Sequence, residues 1–179
     1  MQNKFNSKSW WNILKILGAI LIALCPIIIG FKKSNNLKQN QIKIEKIIEL
    51  INWIISEIKF KKTEISSMFF NISKNKNFKN LEFLQDLKEN LKIYPFPKAW
   101  EISIESWNEF PLEEEKEYLK SLSNILGATD SNGQILNLKH TRFQFEERLK
   151  HATNTYISKG KICKSLGALL GVAMFIVFI

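Results

Sequence analysis

The chain has 179 residues, 45% of them hydrophobic, and carries 26 basic against 17 acidic side chains for a net charge of +9. That length accommodates one domain of ordinary size, and its two cysteines, Cys25 and Cys163, lie in or beside apolar runs, which excludes a disulfide framework or a zinc site. Only Arg142 and Arg148 are arginines; a lysine surplus lacks the planar fork that reads phosphates and bases, so nucleic acid is not an expected partner.

Residues 1–12 read as a short tail. A helix from Trp11 to Phe31 would rise about 31 Å, close to the hydrocarbon thickness of a bilayer. The pattern therefore predicts a transmembrane helix over 13–31, with Trp10 and Trp11 in the interfacial belt and Lys32-Lys33 closing the other side. Pro26 is tolerated in such a helix. A cleavable signal peptide is the competing reading, but Leu24-Cys25-Pro26 is a poor cleavage site, so the segment is expected in the mature protein.

Residues 34–160 read as a helical bundle. Ile44, Ile47, Ile48, Ile51, Ile54, Ile55 and Ile58 recur at helical period, continuing from the first anchor after a short break. Ile65, Met68, Phe69 and Ile72 mark a second, shorter helix, ended by a polar "SKNKN" loop. Leu81, Leu84, Leu87 and Leu91 mark a third, stopped by "YPFP". Pro97 suits the first turn of a fourth, with Ala99, Trp100, Ile104 and Trp107 along one side. After Phe110-Pro111 comes a fifth, striped by Leu119, Leu122, Ile125 and Leu126 and stopped at Gly127. Glu113, Glu114 and Glu115 stand in its first turn, at the positive end of the helix dipole. Asp130 or Ser131 can cap the sixth, where Leu138, Phe145, Leu149, Ala152 and Tyr156 form the stripe. No stretch alternates as a strand does, so the fold class is all-α, a bundle of about six helices.

The last predicted element is a second transmembrane helix over 162–179, about 27 Å long, which spans if its terminal carboxylate reaches the far headgroups. Gly167-x-x-x-Gly171 here and Ala19-x-x-x-Ala23 in the first anchor place small residues on one face of each, a spacing that lets helix backbones approach. Residues 1–44 and 148–179 contain lysines and one arginine but no acid. This distribution suits lysines against anionic headgroups, and the positive-inside rule places 34–160 in the cytoplasm.

Chemistry is sparse. No Gly-rich phosphate loop occurs, and nothing pairs a nucleophile with a base, so neither an enzyme nor a small-molecule substrate nor a cofactor is expected. His140, Glu147 and His151 share a face of the sixth helix; a metal hydrolase built on them is one alternative, and a lipid-binding membrane tether another.

The order of features carries a resemblance. "KILGAILIALCPIIIGF", "ELINWIISEI", "KAWEISI", "LKSLSNILGATD" and "KGKICKSLGALLGVAMFIVFI", in that sequence, resemble the stage III sporulation protein AB family over nearly all of Lys15 to Ile179. That family is similar in its cytoplasmic domain to the inner-membrane platform proteins of type II secretion and type IV pilus systems. The resemblance implies a component of the channel complex between mother cell and forespore, in the membrane around the forespore, docking the cytosolic sporulation ATPase of that complex. It makes Glu57, Thr63, Trp100, Asp130 and His140 the candidate contact positions. This chain departs in carrying "MQNKFNSKSWWN" ahead of the first anchor. It also has "KFKKTEISS" where the family has a glycine and a Thr-Pro-Leu turn, keeping only Thr63.

Overall fold

The computed structural model describes residues 3–60, 64–108, 113–126 and 131–178, and every regular element among them is helical. The α-helices are α1 (Asn3–Phe60), α2 (Ile65–Ile72), α3 (Phe83–Asn90), α4 (Phe96–Glu105), α5 (Glu113–Ile125), α6 (Ser131–Thr155) and α7 (Lys161–Phe178). A 3-10 turn, Lys76–Phe78, overlaps the end of the expected "SKNKN" loop, and a π-helical turn, Tyr156–Gly160, joins α6 to α7. The expected Phe110-Pro111 break, Gly127 stop and Asp130 cap lie outside the described residues, as does Thr63.

One expectation is corrected. The first anchor and the first bundle helix are not separated by a break; both belong to α1. Between Phe31 and Ile44 the chain has no glycine or proline, and its lysine, leucine and glutamine residues sustain a helix. Lys32, Lys33, Asn35 and Asn36 are only weak stop signals, and the strong helix breakers are absent.

The chain divides into a central unit, Asn40–His151, and a terminal unit, Met1–Gln39 with Ala152–Ile179. In the central unit, α1 buries Ile44, Ile47, Leu50, Ile51 and Ile54. Leu50 was not in the expected stripe, and Ile48, Ile55 and Ile58 are only half-buried, so the buried face is turned slightly from the all-isoleucine one. α4 packs against α3 and α5, and α2 packs against α3. Phe69, Phe83, Phe96, Trp100 and Trp107 form one aromatic cluster. Phe96 stacks on Phe69 at 5.0 Å between centroids, and Phe83 meets the Trp100 ring edge-on at 5.4 Å. Each such pair contributes about 0.5–1.5 kcal/mol beyond the area it buries.

The two buried indoles and the Asn90–Ser103 pair find hydrogen-bond partners within this core. The Trp100 indole donates to the Leu119 carbonyl at 2.7 Å, and the Trp107 indole to Glu82 at 2.8 Å. Asn90 donates to the buried Ser103 hydroxyl, which itself donates to the Ala99 carbonyl. Glu115, expected as a first-turn dipole partner, is turned inward, almost fully buried, 3.6 Å from the Arg148 guanidinium of α6. Arg142 of α6 donates to Asn52 of α1 at 3.0 Å, tying the last central helix to the first.

Two helical stretches, Ile13–Phe60 and Ser131–Phe178, are long and apolar enough to cross a membrane. Within the terminal unit their large apolar side chains are mostly exposed, among them Leu21, Ile29, Leu169 and Val177. Such a surface is what a helix facing lipid presents, whereas a soluble core helix hides it.

Candidate functional site

In the terminal unit the residues that do hide are small. Ala19, Ala23, Gly30 and Ser34 of α1 are buried, and so are Gly160, Gly167 and Gly171 on the other helix. Their spacing of four or seven residues keeps each set on one face. The two faces run antiparallel: Ala23 lies against Gly171, Pro26 and Gly30 against Gly167, and Ser34 against Gly160.

The glycines are required there by backbone proximity. A Cβ on Gly167 would lie 2.7 Å from the Pro26 carbonyl oxygen, and one on Gly171 2.7 Å from the Ala23 carbonyl oxygen. A Cβ on Gly30 would strike the Cys163 carbonyl. Each glycine thus lets its Cα approach a carbonyl of the opposite helix, the arrangement that makes weak Cα–H···O contacts at close helix crossings. Gly18 faces open space and takes no part.

Of the packing residues expected from sequence, Ala19, Ala23, Gly167 and Gly171 all lie buried in this seam. Gly30, Ser34 and Gly160 were missed. Their signal was available in part, since Gly160 precedes Gly167 by one heptad and Gly30-x-x-x-Ser34 repeats the small-residue spacing. The π-helical turn ends on Gly160, where the Tyr156 ring would lie 2.9 Å from an added Cβ. The turn's Ser158 hydroxyl donates back to the Asn154 carbonyl at 2.7 Å, satisfying backbone that the widened turn disturbs. Ser34 is buried with no hydrogen-bond partner among the described residues.

Of the candidate contact residues of the central unit, the three described ones do not share one exposed surface. Trp100 is fully buried at the centre of the aromatic cluster, where its indole serves the fold. Glu57 is buried on α1. Thr63 and Asp130 lie outside the described residues. His140 is exposed on α6. Leu136 and Phe143, four residues before it and three after, share its face and are 69% and 57% exposed. That apolar pair beside a histidine was not anticipated, because a helical stripe read from sequence does not say which of two apolar faces is turned inward. α6 turns Leu138, Thr141 and Phe145 inward instead.

His140, Glu147 and His151 gather no further ligand: among the described residues, no three His, Cys, Asp or Glu side chains stand close enough to hold a metal ion. A groove of about 510 Å³ runs between α2, α4 and α5, lined by Ile65, Phe96, Pro97 and Leu126 with Glu64 and Ser123. Among the described residues, no pair of groups suited to acid–base or nucleophilic chemistry faces it.

Compared with known proteins, residues 15–179 match the family model described as stage III sporulation protein AB. No curated protein and no solved structure matches the chain.

Proposed function

This chain belongs to the stage III sporulation protein AB family, and from that premise we propose that it is a non-catalytic membrane platform of the mother cell–forespore channel complex. Its terminal unit crosses the mother-cell membrane twice. Its central unit stands in the cytoplasm and docks the cytosolic secretion-type ATPase of the complex.

The observation that carries this reading is the way the central unit is tethered. The chain enters it through α1 and leaves it through α6, and each of these helices belongs to one of the two stretches apolar enough to span a bilayer. Those stretches pair through a glycine seam. A domain held at both ends in this manner can receive work from a partner that changes shape against it, without hydrolysing nucleotide itself. The orientation follows from charge: Lys32, Lys33 and Lys38 flank one entrance and Lys159, Lys161 and Lys164 the other, against Lys4, Lys8 and Lys15 at the opposite end.

The exposed face of α6 with Leu136, His140 and Phe143 is the surface assigned to the ATPase, since exposed apolar side chains grouped on one helix face gain most from being covered. Copurification tests it. The full chain should retain the ATPase through detergent extraction, and the Leu136→Glu/Phe143→Glu double variant should lose it while keeping its helical circular dichroism. Failure of the intact protein to hold any ATPase would overturn the reading.

A further inference from the structure

The register of the glycine seam has a consequence for charge. Gly30 lies against Cys163 and Gly167, and Ser34 against Gly160. Lys32 and Lys33 lie between the first pair of α1 positions; Lys161 and Lys164 lie between Gly160 and Gly167. The seam therefore places all four lysines at one height along the helix pair, although more than 120 residues separate them in sequence. All four are exposed. The Lys164 ammonium sits 5.4 Å from the centre of the Phe31 ring, a cation–π contact that joins α7 to α1 at this level.

No acidic residue occurs anywhere in the terminal unit. Elsewhere the chain pairs its charges as a soluble domain does: Lys46 with Glu49, Lys98 with Glu101, Lys120 with Glu117. Among the described residues the four lysines have no such carboxylate. Directly beside them begins the exposed apolar band, with Ile28 and Ile29 on α1 and Leu166 and Leu169 on α7. An ammonium on a long apolar stem, at the edge of a lipid-facing surface and with no internal counter-ion, is placed to reach a headgroup phosphate.

We propose that Lys32, Lys33, Lys161 and Lys164 form a collar that binds anionic phospholipid headgroups, so that this protein selects anionic lipid in the leaflet on the central unit's side. The proposal rests on the membrane-spanning reading given above. It adds a ligand class to that reading: a headgroup with net negative charge, attracted by four ammonium groups at one level of the helix pair. A zwitterionic headgroup carries its own ammonium and gains less from the collar.

The test uses the full chain reconstituted into nanodiscs of equal phosphatidylglycerol and phosphatidylcholine, then extracted with mild detergent. Lipid that remains bound is quantified by mass spectrometry. Wild type should retain phosphatidylglycerol over phosphatidylcholine by about tenfold, given the strength of lysine attraction to an anionic surface. Raising the salt should cut that preference several-fold because the charges are exposed. Changing all four lysines to Gln should abolish the preference, and changing all four to Arg should keep it. The Arg variant and the salt series keep the proposal falsifiable even if the Gln variant fails to fold.

Equal retention of the two lipids by wild type, or an undiminished preference in a folded Gln variant, would overturn the collar alone. So would displacement of the lipid by millimolar glycerol phosphate, which would mean a free-phosphate site, or by duplex DNA, which would mean a nucleic-acid surface. Failure of the protein to float with vesicles of any composition would overturn the membrane reading together with the collar. Flotation with purely zwitterionic vesicles keeps the two separable.

Discussion

Trp100 shows how one side chain can be read correctly for its element and still be open in its role. Its place on an apolar helical stripe is visible in "KAWEISI", but whether it faces a partner or the core depends on what packs over it. Here Phe69, Phe83 and Phe96 do so, and the Leu119 carbonyl takes its N–H. Trp100→Ala should destabilise the full chain by about 3–5 kcal/mol, followed by chemical unfolding in micelles. Trp100→Phe keeps the ring contacts and gives up the hydrogen bond, a loss of about 1–3 kcal/mol. Glu115 is the counterpart among charged residues: sequence places it in a first helical turn, and the fold buries it beside Arg148. Arg148→Ala should cost about 1–3 kcal/mol, less than a fully buried pair because the guanidinium is one-third exposed. Adding Glu115→Gln should recover part of that loss. Exposed pairs behave otherwise. A hydrogen bond from Lys92 holds the Glu89 carboxyl below its ordinary range, and one to Glu117, followed by one to Glu105, holds Lys120 above its own. Any stabilisation from Glu89 is present above its unfolded pKa and lost as pH falls through the lowered folded value; that from Lys120 is present below its unfolded pKa and lost as pH rises through the raised one. Glu89 and its partner Lys92 are both exposed, so Glu89→Gln should leave the unfolding midpoint at neutral pH unchanged.

At the scale of elements, the helix pair of the terminal unit depends on the absence of side chains. Gly167→Leu would drive carbon into the Pro26 carbonyl, and overpacking of this kind costs about 1–3 kcal/mol. The expected result is a lower midpoint in SDS-induced unfolding of the purified chain. Gly18→Leu, on the open side of α1, should change nothing. The Gly167-x-x-x-Gly171 spacing is legible in sequence because the helical period alone puts both on one face. Which residues oppose them is not legible, since register between two helices is set by contacts made across space. The absence of a break in α1 is the converse case: a polar stretch after an apolar one invites a predicted stop, yet polarity does not end a helix without glycine, proline or a cap.

For the whole molecule, the central prediction is topological. With Cys25 and Cys163 replaced by Ala, a cysteine introduced at exposed Ser121 should react with an impermeant maleimide only from the cytoplasmic face, and one at Trp10 only from the opposite face. Labelling of Ser121→Cys from outside would remove the ATPase-docking role. By itself the sequence determined the all-helical class, the two apolar stretches, the uneven charge and the family, because helical period, hydropathy and charge order are properties of neighbours along one chain. Only the tertiary structure decided that Trp100 and Glu57 are interior while His140 is exposed. It alone decided that Gly30, Gly160 and Ser34 complete the seam, and that four lysines from opposite ends of the chain stand level. Those outcomes depend on which surfaces meet and at what offset, and burial and register arise from packing between segments that no local pattern encodes.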